Sequence, residues 1–219
     1  MTKRTKSSQR WIERHKRDPY VKKAAERGLA SRAHFKLAQL DARHSLLRPH
    51  MWVLELGAAP GGWTRYLASR VSGGRVLAVD YRPMQVPAGV VYVGLDIYSD
   101  EFIGAVDAAL GERRLDLVLS DMSPNISGVR AADQAAAMGL IDLATESAMR
   151  WLKPGGALVV KMFQGEGVDG WVKEMRRFFG KAQLAKPAAS RAESREVYGI
   201  ATGFTGTESG EGRVGGRSA

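Results

Sequence analysis

Short apolar runs recur along the chain, each stopping at a polar or glycine-rich turn. They cover Val53–Leu56, Arg75–Asp80, Val90–Asp96, Leu115–Asp121, Ala157–Lys161 and Glu196–Thr202, and runs of this length bounded by turn residues predict buried strands. Segments with helical spacing lie between them: Trp63–Val71, Ser99–Leu110, Ala132–Lys153 and Val168–Phe179. Gly73-Gly74 closes the first of these helices and Pro154-Gly155-Gly156 the third. Ahead of them, Trp11–Leu47 is also helical in pattern, interrupted near Asp18-Pro19 and Gly28, with Phe35, Leu37 and Leu40 forming an apolar face. Strands alternating with helices predict an α/β fold: a seven-stranded, mostly parallel sheet with helices on both faces and one antiparallel strand near the C-terminus. In such sheets ligands sit at the C-terminal ends of the strands.

Composition narrows the partners. The 219 residues, 44% of them hydrophobic, suffice for one full core. We read residues 1–47 as a basic arm and helices packed on the catalytic domain, 48–204 as that domain, and 205–219 as a Gly/Ser-rich tail expected to be disordered. Lys and Arg total 33 against 23 Asp and Glu, a formal charge of +10, which favours a polyanion such as nucleic acid. Thr2–Arg10 carries four basic residues and no acid. Basic residues continue through Arg32 and are interleaved with Trp11, Tyr20 and Phe35, a mixture suited to RNA contact. No long apolar segment suggests a membrane span or a secretory signal. Zero Cys excludes disulfides and thiolate metal sites, and the four His lack ligand spacing. A cytoplasmic monomer without a metal is expected.

Candidate chemistry gathers at the predicted strand ends. The first run passes through Gly57, Pro60 and the paired glycines Gly61 and Gly62 to Trp63, a strand, tight turn and helix start that present backbone N–H groups to a ligand. A dinucleotide fingerprint would need glycine at Ala59, so a nicotinamide oxidoreductase is disfavoured. Asp80 ends the second run, roughly 20 residues beyond the turn, where a carboxylate can accept both ribose hydroxyls of an adenosine. Asp96, at the end of the third run, can accept an adenine amino group. Asp121 opens the turn-rich segment SDMSPNISG, and Lys161 ends a buried run on a charge that requires either a function or an acidic partner.

ELGAAPGGWT, together with SRAHFKL, SDMSPN, VVKMFQGEG and SREVY, resembles the FtsJ-like RNA ribose 2′-O-methyltransferases over about Trp11–Phe204. The resemblance implies a Rossmann-like, class I S-adenosylmethionine-dependent methyltransferase fold. It also implies a Lys-Asp-Lys-Glu catalytic set at Lys36, Asp121, Lys161 and Glu196, and cofactor positions at Gly61, Trp63, Asp80, Asp96 and Asp121. The short chain, the basic N-terminal helices and the SRAxFKL segment are most similar to the bacterial ribosomal members. They imply a uridine 2′-hydroxyl of 23S ribosomal RNA, on the assembled large (50S) subunit, as substrate. Transfer RNA as substrate, and a non-catalytic ribosome-assembly role, are the alternatives.

The reaction suits those residue types. A ribose 2′-hydroxyl is a poor nucleophile whose proton must leave as its oxygen attacks the sulfonium methyl in line. Neighbouring Asp121 and Glu196 would favour charged Lys161, whereas Lys36, burial and the cofactor's positive charge oppose it. Lys161 is therefore either the general base or an ammonium that orients the hydroxyl and stabilises developing alkoxide. Asp121 would position Lys161, and Glu196 would hold Lys161 or the ribose.

Overall fold

The computed structural model describes residues 18–26, 29 and 31–206. The basic arm Thr2–Arg10 and residues 207–219 of the Gly/Ser-rich tail lie outside them. The elements are α1 Pro19–Glu26, α2 Ala33–His44, β1 Trp52–Leu56, α3 Gly62–Arg70, β2 Arg75–Val79, β3 Val90–Val93 and α4 Glu101–Leu110, followed by β4 Leu115–Ser120, α5 Arg130–Trp151, β5 Leu152–Phe163, α6 Val168–Phe178, β6 Phe179–Ala185 and β7 Glu196–Phe204. They build a seven-stranded sheet of order β3-β2-β1-β4-β5-β7-β6. β7 is antiparallel to both of its neighbours, and the other pairings are parallel. The expected fold class holds.

The central strands are apolar throughout because helices cover both faces of the sheet. β4 is buried at every position. On one face Leu54, Leu56, Val118, Leu158 and Val160 pack with Phe102, Ile141 and Trp151. On the other, Leu37 and Leu40 of α2 meet Val53, Leu67, Leu117, Val159 and Tyr198, so the N-terminal helix α2 is part of the main packing. Among the described residues no helix is long and apolar enough to cross a membrane.

Three local differences from the expected pattern have physical causes. Phe179–Ala185 is an edge strand with Phe179, Ala182 and Ala185 buried; that spacing of three imitates a helix and hides the strand. Lys153-Pro154-Gly155-Gly156 lies within β5 as an irregularity, since Leu152 pairs with Leu115 and the ladder resumes at Ala157 opposite Leu117. β3 ends at Val93, not at Asp96. Asp96 lies in the following turn, where its carbonyl accepts from the Ser99 N–H at 2.9 Å.

Candidate active site

The reversal in strand order between β1 and β4 opens a cleft of about 610 Å³ along the C-terminal ends of the strands, within the ~300–1,000 Å³ usual for small-molecule sites. Its wall includes Gly57, Asp80, Asp96, Asp121 and Pro124. Gly57 has φ +75°, and a Cβ there would come within 2.5 Å of Met122 Cγ. Only glycine fits both that backbone angle and that gap.

Asp80 follows β2 and is 4% exposed. Its Oδ2 accepts from the Ala59 N–H at 2.9 Å and its Oδ1 from the Arg82 N–H at 2.9 Å. The Arg82 side chain closes on the same carboxylate, Nε to Oδ1 and Nη2 to Oδ2, both at 3.1 Å. Burial alone would raise the Asp80 pKa, but these hydrogen bonds hold it below the usual carboxylate value. Asp96 Oδ1 accepts from the Tyr98 N–H at 3.0 Å.

Gly61 and Trp63 stand apart from the cleft wall. Gly61 takes φ +92° as the N-cap of α3. The Trp63 side chain is buried, donates its indole N–H to the Ala33 carbonyl at 2.8 Å, and packs 5.7 Å from the Tyr198 ring. It ties α2 to α3.

Asp121 leads from the cleft to a cluster of charged side chains. Lys161 Nζ donates to the Asp121 carbonyl at 2.5 Å and lies 3.3 Å from Asp121 Oδ1. The Tyr198 hydroxyl donates to the same Oδ1 at 2.8 Å. Lys36, on α2, donates to Glu196 at 2.7 Å, and Ser190 Oγ donates to the other carboxylate oxygen at 2.7 Å. Lys36 Nζ also sits 5.9 Å from the Tyr198 ring centre. Lys161 and Tyr198 are register partners across β5 and β7. The four residues Lys36, Asp121, Lys161 and Glu196 thus gather around Tyr198. Glu196 is held by Lys36 and Ser190; burial would raise its pKa, but Lys36, with Ser190 and the Lys161 charge, brings it below the usual carboxylate value. Tyr198 is pushed well above the usual phenol value by burial and then by the Asp121 charge, so it keeps its proton and donates.

A family model described as FtsJ-like methyltransferase matches residues 29–204. The chain belongs to the FtsJ-like methyltransferase family. A Stenotrophomonas maltophilia protein named ribosomal RNA large subunit methyltransferase E is 48% identical over 204 residues, covering 93% of this chain and 97% of the relative. A Pseudomonas aeruginosa protein of the same name is 47% identical, covering 93% and 99%. The fold also matches a crystal structure described as a ribosomal RNA methyltransferase from Plasmodium falciparum. That match has TM-score 0.72 and 23% identity, and covers 80% of this chain and 98% of that one.

Sequence reasoning about this FtsJ-like methyltransferase did not single out Tyr198, Ser190 or Arg82. Tyr198 had a readable signal: it is two residues beyond Glu196 on one strand, hence on the same face of the sheet. Ser190 and Arg82 had none, since a serine or arginine in a loop is ordinary. Asp18 was read only as a helix interruption. In the structure it is a buried carboxylate that accepts from Arg32 and from Arg191 Nε at 3.3 Å. It joins the start of α1 to the 186–195 loop beside Glu196.

The Tyr198→Phe variant removes one of the two groups that orient the Asp121 carboxylate. Its expected outcome is a transfer rate about tenfold lower, near 1.4 kcal/mol in the barrier. A stability loss of about 1–3 kcal/mol should accompany it, from an unmade hydrogen bond to a charged group. Single-turnover rates and denaturant midpoints would check the two effects separately.

Proposed function

We propose that this FtsJ-like methyltransferase transfers the methyl group of S-adenosylmethionine to the 2′-hydroxyl of a uridine in 23S ribosomal RNA on the large (50S) subunit. The observation that carries the reading is the Lys161–Asp121–Tyr198 group at the inner edge of a cofactor-sized cleft, backed by the Lys36–Glu196 pair. Relatives named for ribosomal RNA large subunit methylation support the substrate, and the +10 charge suits RNA.

The donor and acceptor set fits the cofactor. Asp80 is a buried, ionised acceptor suited to a ribose diol, and Asp96, which lines the same cleft, is suited to an adenine amino group. Gly61 and Trp63 contribute the turn and the backbone of the first turn of α3. S-adenosylmethionine supplies an electrophilic methyl on its sulfonium. Asp121 faces that end of the cleft and fixes Lys161. Lys161 donates to the Asp121 carbonyl and pairs with its carboxylate, and its amine is left to meet the incoming hydroxyl, either to take its proton or to stabilise the developing alkoxide. Lys36 keeps Glu196 ionised beside Lys161.

Incubation with radiolabelled S-adenosylmethionine and large subunits lacking their modifications, alongside free ribosomal and transfer RNA, tests this directly. The expected product after nuclease digestion is labelled 2′-O-methyluridine from subunit RNA. Label confined to transfer RNA would overturn the substrate, and no label despite cofactor binding would overturn the catalytic reading in favour of an assembly role.

A further inference from the structure

A carboxylate offers about four acceptor positions, two on each oxygen. In this chain all four on Asp80 are taken. Oδ1 receives the Arg82 N–H and the Arg82 Nε–H, and Oδ2 receives the Ala59 N–H and an Arg82 Nη2–H. Two of these donors are backbone groups fixed by the turns they belong to. The other two belong to one guanidinium, which also reaches the Ala59 carbonyl at 3.1 Å. The guanidinium therefore fills one position on each carboxylate oxygen, the pair that two adjacent ribose hydroxyls would need.

We infer that Arg82 is an internal competitor for the cofactor's ribose: its guanidinium stands in for the diol on Asp80 and must swing away as an adenosine ligand binds. The inference rests on the reading of Asp80 as the ribose acceptor. The movement is feasible because the two partners are so differently placed. The Arg82 side chain is 55% exposed and that of Asp80 2%, so solvent can receive the guanidinium while the acid stays put. In the pose that engages Asp80, Arg82 Cζ also lies 5.6 Å from the Tyr81 ring centre. With Arg82 in place the pair keeps Asp80 ionised and its acceptors satisfied. In the loaded cleft the carboxylate's preference for Arg82 opposes the ligand, which lowers affinity and speeds release of the demethylated product. Arg82 is a residue that sets affinity and does not take part in methyl transfer.

The test compares wild type, Arg82→Ala and Asp80→Asn by calorimetric binding of adenosine, an uncharged probe carrying the diol, with 2′,3′-dideoxyadenosine as the diol-free control. Removing a half-exposed ion pair should tighten adenosine binding by roughly two- to fivefold, with no gain for the dideoxy probe. Salt weakens the competing pair, so wild-type affinity for adenosine should rise between low and high salt while that of Arg82→Ala stays flat. Unchanged or weaker adenosine binding by Arg82→Ala, together with a marked loss in Asp80→Asn, would overturn the competitor role and leave the ribose reading standing. Adenosine binding by Asp80→Asn equal to wild type would overturn both.

Discussion

The Lys161→Ala variant is expected to lose about 10²–10⁴-fold in the rate of methyl transfer, the range associated with one positioned proton-transfer group. Its affinity for S-adenosylmethionine should stay within about threefold of wild type, an allowance far below the tenfold that 1.4 kcal/mol would produce. The separation follows from geometry. Lys161 is on β5, beyond Asp121 as seen from the cleft, and is not part of the cleft wall. Removing it also leaves the fold in place, because the Asp121 carboxylate keeps the Tyr198 hydroxyl at 2.8 Å. Equilibrium binding and single-turnover transfer on the same preparation check both halves. A variant that no longer binds the cofactor would mean that Lys161 belongs to the cofactor site instead.

Lys161→Arg divides the two chemical roles. Arginine keeps the positive charge but cannot act as a base at accessible pH. If an orienting cation is what the reaction needs, Lys161→Arg should recover a measurable part of the rate lost in Lys161→Ala. If proton removal is what it needs, the two variants should be equally inactive.

The parts of this arrangement that could be read from the chain were those fixed by local pattern. Buried parallel strands are apolar along their whole length, so Val53–Leu56 and Leu115–Asp121 announced themselves, and with them the position of Asp121 just past a strand end. The glycine turn was legible because Gly57 must take an angle and a spacing that other residues refuse. Edge positions were harder: β6 has Gly180, Lys181 and Gln183 among few buried side chains, and nothing in its pattern separates it from the end of a helix. Long-range pairing was the least legible. Lys36 and Glu196 are 160 residues apart and meet through tertiary packing; in sequence terms Lys36 is a lysine on a helix, and only family resemblance marked it. Asp96 shows a third limit, since an acid after an apolar run reads as a strand end even when the chain has already turned at Gly94.

Glu55 is the lone acid of β1, and the structure gives it a measurable consequence. It is 2% exposed, and Thr64 at the start of α3 donates to it through its hydroxyl at 2.7 Å and through its backbone N–H. Burial, with help from the negative charges of Asp121 and Asp80, pushes its pKa from 4.5 up to about 8, against the opposing effect of the Thr64 hydrogen bonds. A folded-state value above the unfolded one means that the folded chain binds the proton more tightly. The stabilisation is complete below about pH 4.5, declines by about 1.4 kcal/mol per pH unit as the unfolded chain ionises alone, and is gone above about pH 8, a total on the order of 5 kcal/mol. Glu55→Gln keeps an oxygen for Thr64 and removes the titration. The stability of this variant relative to wild type should therefore rise steadily between about pH 5 and pH 8, and level off above. Groups common to both proteins cancel in that difference, so denaturant unfolding of the pair across the range isolates Glu55. A difference that does not change with pH would show that Glu55 is ionised in the folded protein and that Thr64, with the first turn of α3, holds it as a carboxylate.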